Sequence, residues 1–401
     1  MIDFTFTDSQ LAARDLAREF CGRECAPYIA DWDRSGGFPP ELLRKMGEIG
    51  LAGLCFPEEY GGSGLDYIAL GLVCEEMEYV DTSLRVFFSV HVGLSGLSIL
   101  TCGTDEQKRK YLHKLATAEL VSTFGLTEPD AGSDVVGIRS TADEDGDSYV
   151  LNGEKMWISL ADRADMFTIY AWTDREKMKK RDHTGITGFI VERDFGGIET
   201  GSIKGKTGIR AGDTGFVSMT DVRVPKENVL GEVGEGFKLA MFSLDQGRYT
   251  VAAGATGLIR AARDASVAYA KERKTFGRPI AKHQLVKAMI ANMVREYEAS
   301  HLLWLRAGWL KTVGERSTRE TSLAKWYATV ASERCASDAI EVHGAYGYSD
   351  EYPVERFWRN SRAAVIYEGT REVHALMQAD YALGFREDRP TRRSLPTVEQ
   401  Q

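Results

Sequence analysis

Residues 124–134 read "FGLTEPDAGSD", and they mark the place where the hydrophobic pattern of the chain changes period. A short apolar strand end, Phe124 and Leu126, runs into a loop of small residues whose backbone N–H groups, with the Thr127 and Ser133 hydroxyls, suit a polar ligand. Before it, from Thr7 to about Ala118, apolar residues recur at helical spacing in "SQLAARDLAREF", "PELLRKMGEIGLAGL" and "YIALGLVCEEMEYV", punctuated by "GGFPP" and "PEEYGGSG". After it, short alternating runs ("MFTIYAW", "GITGFIVE", "TGFVSMTDVRV") predict strands, and Asn152-Gly153 inside "SYVLNGEKMWIS" predicts a turn between two of them. Helical periodicity returns with "GEVGEGFKLAMFSLDQGR" and persists to about Leu383. The pattern predicts an α+β chain with a helical unit over 1–120, a β unit over 121–232, a helical bundle over 233–385 and an extended polar tail over 386–401.

With 401 residues, 43% hydrophobic and 27% charged, the chain is too long for one small domain. A formal charge of −9 argues against nucleic acid, which demands a basic face. No run of about 18 uninterrupted apolar residues is present, and "MIDFTFTDSQ" lacks the basic start and apolar core of a secretory signal, so the expected location is cytoplasmic. Six scattered cysteines, Cys21 and Cys25 among them, read as packing thiols rather than a redox or zinc pair. Asp130 and Asp134 lack the spacing of a calcium loop, and no metal site is expected.

Three further segments carry chemistry. In "EKMWIS", Trp157 and Ser159 lie two apart on one strand and face the same side, which suits a planar heterocycle, although a strand Trp is commonly core. "ERKTFGRPIAKHQ", residues 272–284, sets Arg273, Thr275, Phe276 and Gln284 around a Gly-Arg-Pro turn, apt for a phosphate and a ring but also for a plain helix connection. "VIYEGTREVH", residues 365–374, places Glu368 after an apolar run and before Gly369; a partly buried carboxylate there is either a general base or a helix cap. A fourth oddity is Arg85 in "DTSLRVFFSV", in the first turn of a predicted helix, where a cation loses about 0.3–1 kcal/mol against the helix dipole. It therefore needs an anion, either Glu78 or Asp81 of the protein or a ligand carboxylate.

In their order and spacing these segments resemble the acyl-CoA dehydrogenase family, from Phe4 to about Leu383. The resemblance implies an N-terminal helical domain, a middle β-barrel-like domain and a C-terminal four-helix bundle. It also implies FAD between the β domain and the bundle, a second subunit completing the site in a homotetramer, and electron-transfer flavoprotein as acceptor. By position, Phe124, Leu126, Thr127, Trp157 and Ser159 match segments that hold the flavin ring. Arg273, Phe276 and Gln284 match FAD diphosphate and adenosine contacts from the neighbouring subunit, while Gly344, Thr370 and Glu372 lie in further FAD segments. Glu341 stands where some members carry Gln. Ser133, Asp245 and Arg248 match positions lining the CoA thioester, Ser133 also bordering the cofactor. Glu368, followed by Gly369, matches the base of the "YEGT" class; position 247, where another branch places its base, is Gly. The implied chemistry has the Glu368 N–H and a ribityl hydroxyl polarise the thioester carbonyl, Glu368 remove the α-proton, and the β-hydride pass to the flavin.

Within that family, "E-x-V-D-x-x-x-R" from Glu78 to Arg85 looks like the segment with which glutaryl-CoA dehydrogenases hold the distal carboxylate, and Tyr367 fits the same type. Val86 departs from it, standing where that type has Ser. Glutaryl-CoA, oxidised and decarboxylated to crotonyl-CoA, is the first expectation. Benzylsuccinyl-CoA or another carboxylated thioester without decarboxylation is the alternative, with Phe87 and Phe88 lining an aromatic pocket or simply filling core. From other classes come a catalytically silent acyl-CoA-binding protein and an acyl-CoA oxidase.

Overall fold

The computed structural model describes residues 5–387 and 395–397. Its N-terminal unit is helical: α1 (Asp8–Phe20), α2 (Ile29–Ser35), α3 (Glu41–Glu48), α4 (Tyr67–Val80), α5 (Thr82–Phe87), α6 (Leu97–Cys102) and α7 (Asp105–Ala116). Thr7 and Thr104 start α1 and α7 by the same device, a threonine hydroxyl and a glutamine three residues on that satisfy each other's free backbone N–H groups. Wide π-type turns over Phe88–Gly96 join α5 to α6, so Thr82–Cys102 forms one continuous apolar helix. It is long and apolar enough to span a bilayer, yet 94% of its apolar window is buried in the protein, which makes it a core helix.

The middle unit is a mixed sheet of β1 (Ser122–Gly125), β2 (Thr141–Asp145), β3 (Ser148–Ser159), β4 (Met166–Trp172), β5 (Ile186–Glu192), β6 (Ile198–Ser202), β7 (Thr214–Pro225) and β8 (Val229–Leu230), with α8 (Arg175–Lys179) between β4 and β5. The strand order is β6-β7-β3-β2-β4-β5-β8, and β1 lies parallel on β4. Ala142, Leu151, Phe167, Phe189, Val217 and Val222, from five strands, share its core. The turn predicted at Asn152-Gly153 is absent: β3 runs straight through it, and the β2–β3 hairpin turns at Gly146-Asp147. Gly153, at φ +143, sits at a register shift against β7 and has Ser140 packed where a β-carbon would lie. The glycine thus serves a bulge and a close approach, which share the turn's sequence signature.

The C-terminal unit contains α9 (Gly236–Glu272), the small hairpin β9 (Lys274–Thr275) and β10 (Arg278–Pro279), α10 (Gln284–Thr312), α11 (Thr318–His343), α12 (Val354–Ala364) and α13 (Arg371–Ala382). The helices α9, α10 and α11 pack on one another, and α12 and α13 pack on α11. On its other flank α9 packs against α4 and the Phe88–Gly96 segment, tying the two helical units together. Gly254 and Gly257 of α9 permit this approach, because a β-carbon at either would strike Glu78 or the Glu75 backbone. Of the predicted tail, Leu395 is buried in the largest hydrophobic cluster, which draws on all three units, and Tyr67 Oη donates to the Pro396 carbonyl at 3.2 Å. That contact anchors the predicted tail at this point; residues 388–394, with Arg389, Arg392 and Arg393, and residues 398–401 lie outside the described residues, as does Phe4.

Candidate active site

The loop between α12 and α13 is held in a conformation that L-residues avoid. Glu368 has φ +53 and Gly369 φ +93, the left-handed region that costs a side-chain-bearing residue conformational energy. Lys325 Nζ on α11 donates to the carbonyls of Tyr367 at 2.8 Å and Gly369 at 2.7 Å, and Arg248 Nε on α9 donates to that of Glu368 at 3.1 Å. Thr370 closes the loop by capping α13 through the Val373 N–H.

Glu368 as a residue is half-buried, but its Oε2 is sealed from solvent and has no hydrogen-bond partner. It faces Gly247 of α9, where a β-carbon would collide with that oxygen. Burial pushes the Glu368 carboxyl above its ordinary value, against the opposing pull of Arg85, Lys325 and Arg248. A sealed, unpartnered carboxylate with a raised proton affinity is suited to taking a proton from carbon. Burial in turn brings the Lys325 ammonium down to about 7.

Arg85 is fully buried. Its Nε donates to Glu78 Oε2 at 2.6 Å, its Nη1 to Ser89 Oγ at 2.7 Å and its Nη2 to Tyr367 Oη. Of the two protein anions offered by the sequence, Glu78 takes the arginine; Asp81 instead caps α5 through the Ser83 N–H and binds Arg356 and Asn360. Burial pushes the Glu78 carboxyl up and Arg85 only partly offsets it; guanidinium does not release its proton, and the 2.6 Å contact is an ion pair. Burial also opposes the Arg85 charge, but Glu78, Tyr367 and Glu368 outweigh it. The described bonds engage three of the five N–H groups of a guanidinium. Phe87 and Phe88 are sealed in the core, Phe87 stacked on His91 with ring centroids 4.6 Å apart.

The structure thus brings Glu368, Gly369, Tyr367, Arg248, Arg85 and Glu78 together. Asp245 joins through Arg248 at 3.1 Å and is fixed by Thr318 Oγ1 at 2.6 Å. Ser133 is exposed in the loop after β1, and Glu372 is exposed and paired with Arg371 at 2.7 Å. On the sheet, Phe124 and Leu126 are buried, while Trp157 is 60% exposed at φ +62, the extra residue of a bulge between Met156 and Ile158. The bulge extrudes the indole that strand statistics would place in the core; Ser159 follows, half-buried, at the end of β3, and the Met156 N–H donates to the Thr127 carbonyl at 2.9 Å. An exposed, flat indole fits the flavin ring of FAD. Arg273, Phe276 and Gln284 are exposed around the β9–β10 hairpin, and Glu341 and Gly344 at the end of α11 are exposed too, Gly344 at φ +61 with open space around it. Arg273 lies over the Tyr346 ring, 6.0 Å from its centroid, so these residues share one patch, fit for an anionic diphosphate and a second ring. That patch is about 37 Å beyond Arg248 along α9, at 1.5 Å per residue.

Several residues of the cluster escaped the sequence reading. Lys325 is buried and clamps the Glu368 loop; the signal was a lone lysine on the small-residue face of "SLAKWYA". Ser89 and Thr250 meet at 2.6 Å beneath Arg85. His374 is buried, its Nδ1 2.9 Å from Ser322 Oγ and its Nε2 unpartnered beside Gly369; burial lowers its ring to about 3, so it is neutral. In the sheet, buried Lys155 joins Glu128 at 2.7 Å and the Tyr170 carbonyl at 2.7 Å, bracing the loop that follows Leu126.

Comparison with known proteins agrees with this geometry. Residues 7–119 match the N-terminal domain of acyl-CoA dehydrogenases, 123–222 the middle domain and 234–383 the C-terminal domain. The chain is 40% identical over 390 residues to glutaryl-CoA dehydrogenase of Desulfococcus multivorans, covering 96% of this chain and 99% of that protein. It is also 40% identical over 376 residues to a short-chain-specific acyl-CoA dehydrogenase of Clostridium acetobutylicum, covering 94% and 98%. The solved structure of a glutaryl-coenzyme A dehydrogenase–glutaryl-CoA complex superposes with a TM-score of 0.91 at 39% identity, over 96% of this chain and 98% of that one. The chain belongs to the acyl-CoA dehydrogenase family, FAD-dependent oxidoreductases that act on the CH–CH bond of acyl-CoA thioesters.

Proposed function

We propose that this enzyme dehydrogenates a short acyl-CoA thioester carrying a distal carboxylate, glutaryl-CoA first, with loss of CO2 to give crotonyl-CoA. The observation that carries the reading is the juxtaposition of a sealed, unpartnered Glu368 carboxylate with a buried arginine, Arg85, through their shared neighbour Tyr367. Glu368 takes the α-proton at Oε2, while its own backbone N–H is assigned to the thioester carbonyl. Arg85, pre-oriented by Glu78 and Ser89, offers its remaining N–H groups to the distal carboxylate. Bound FAD supplies the acceptor for the β-hydride. Loss of CO2 from the γ-position then leaves an electron pair that takes up one proton. Asp245, Arg248 and Ser133 are assigned to the CoA thioester.

Trp157, Ser159, Thr127, Phe124 and Leu126 are assigned to the flavin ring, and Thr370 and Glu372 to its flank. Arg273, Phe276, Gln284, Glu341 and Gly344 are assigned to the diphosphate and adenosine of a neighbouring subunit's FAD. The distance of their patch from the Glu368 cleft along α9 supports that crossing and hence a homo-oligomer, a tetramer by family resemblance. Phe276 at 95%, Leu285 at 79% and Trp309 at 50% exposure supply apolar surface for it. Electron-transfer flavoprotein is the proposed acceptor, by family resemblance, and the cytoplasm the proposed location, from the composition of the sequence. A short monocarboxylic thioester is the second reading, favoured by the fact that Arg85 already has Glu78 as partner. Benzylsuccinyl-CoA draws no support from Phe87 and Phe88. An anaerobic panel of glutaryl-, benzylsuccinyl-, succinyl- and butyryl-CoA, scored by flavin bleaching and product mass, decides among them. Preference for butyryl-CoA would remove the distal clamp, and absence of bleaching by any thioester would favour a silent binding protein.

A further inference from the structure

We propose that Lys325 is the positioning residue of Glu368: its ammonium clamps the carbonyls on either side of that residue and so fixes where the carboxylate points. The inference rests on Glu368 being the base. Three consecutive carbonyls, of residues 367, 368 and 369, are all drawn to cations, Lys325 taking the outer two and Arg248 the middle one. Glu368 and Gly369 both have positive φ; glycine adopts it freely, but it costs a glutamate conformational energy, so Glu368 holds it only with support from its surroundings. Lys325 is buried and has these two carbonyls as its described hydrogen-bond partners. An ammonium buried without a bonded carboxylate is costly, and the two loop carbonyls are what offset that cost here. Its second effect is electrostatic, as one of the charges facing Glu368.

Those charges come from every element around the carboxylate. Arg85 stands on α5 with Glu78 on α4 behind it, Arg248 with Asp245 on α9, and Lys325 on α11. On α13, His374 is neutral and Glu372 is exposed and paired with Arg371. Removing Lys325 therefore leaves Glu368 with one favourable charge fewer and a loop free to relax.

The test uses FAD-loaded Lys325→Met, Lys325→Gln and Lys325→Arg, measuring the rate of anaerobic flavin reduction and the dissociation constant of the thioester across pH. The expected result is retained FAD and thioester binding, with a slowed reduction whose low-pH limb moves up by about one unit, so that the rate falls about tenfold below the limb and recovers above it. Lys325→Arg should keep the limb in place. If Lys325→Met gives no holoenzyme, Lys325→Gln, which retains donors but no charge, is read in the same way. An unmoved limb in the neutral variants, whether the rate is normal or uniformly lowered, overturns the proposal. A wild-type enzyme that no acyl-CoA reduces, or a Glu368→Gln variant as fast as wild type, would instead sink the assignment of the base.

Discussion

Arg85→Met removes a guanidinium that is wholly buried and donates to Glu78, Ser89 and Tyr367, and its consequences for stability and for specificity can be separated. Glu78, 1% exposed, is left with Thr82 Oγ1 at 3.0 Å as its described donor. Breaking a buried pair by deleting one partner costs about 3–5 kcal/mol, so the single variant should melt well below wild type. Adding Glu78→Gln removes the stranded charge, and the double variant should regain most of that loss, because a neutral pair of similar volume is about as stable as a buried ion pair. Specificity should not return with it. A charge-assisted hydrogen bond to a distal carboxylate contributes about 1.5–3 kcal/mol, roughly a ten- to hundredfold loss in kcat/KM on glutaryl-CoA relative to butyryl-CoA when it is gone. Thermal melts and anaerobic flavin reduction with both thioesters measure the two effects. A well-folded double variant that keeps the wild-type preference for glutaryl-CoA would refute the clamp.

Gly254→Ala sets a β-carbon against Glu78 Oε2 and within 2.8 Å of Arg85 Cγ; it should cost about 1–3 kcal/mol of stability by overpacking and lower activity on glutaryl-CoA more than on butyryl-CoA. Gly247→Ala displaces the Glu368 carboxylate, so flavin reduction should slow sharply while bound FAD, read from its absorbance, is retained. Glu368→Gln should stabilise the ligand-free protein at neutral pH. Because burial raises the folded-state value of Glu368, the unfolded chain releases this proton first, and stability falls as pH rises from the ordinary carboxylate range through that raised value; thermal melts of the two proteins should converge at acid pH and separate above it. Lys155→Met leaves Glu128, 7% exposed, without its cation and with the Arg139 and Ser140 N–H groups as its described donors, with an expected loss of up to about 3–5 kcal/mol and, if the adjoining strand holds the flavin, faster FAD release on dialysis.

The fold was legible where hydrophobic period switches from helical to alternating, at Phe124, and back again before α9, because burial on one face dictates that period in any helix or strand. The Asn152-Gly153 turn was misread because a bulge glycine and a hairpin glycine leave the same local signature, and only the strand partner tells them apart. Glu368, Arg85 and Trp157 stood out as residues at odds with their surroundings. The partner of Arg85 did not, since Glu78 and Asp81 are equally close in sequence and the choice depends on which one α9 leaves room for, through Gly254. Lys325 and His374 were missed because their roles lie in backbone contacts with a loop more than 40 residues away for Lys325 and in burial for His374, neither of which is written in the local pattern. Leu395, in a stretch whose composition suggests an extended tail, shows that one apolar residue can dock where composition argues for solvent.

Glu368 is proposed to remove a proton from the acyl-CoA while FAD takes the hydride. Stopped-flow anaerobic mixing of glutaryl-CoA with wild-type holoenzyme and with Glu368→Gln holoenzyme of equal FAD content tests it most directly. Wild type should give flavin bleaching and an unsaturated thioester product, and the variant unchanged flavin despite bound thioester; bleaching of the variant at the wild-type rate would show that Glu368 is not the base.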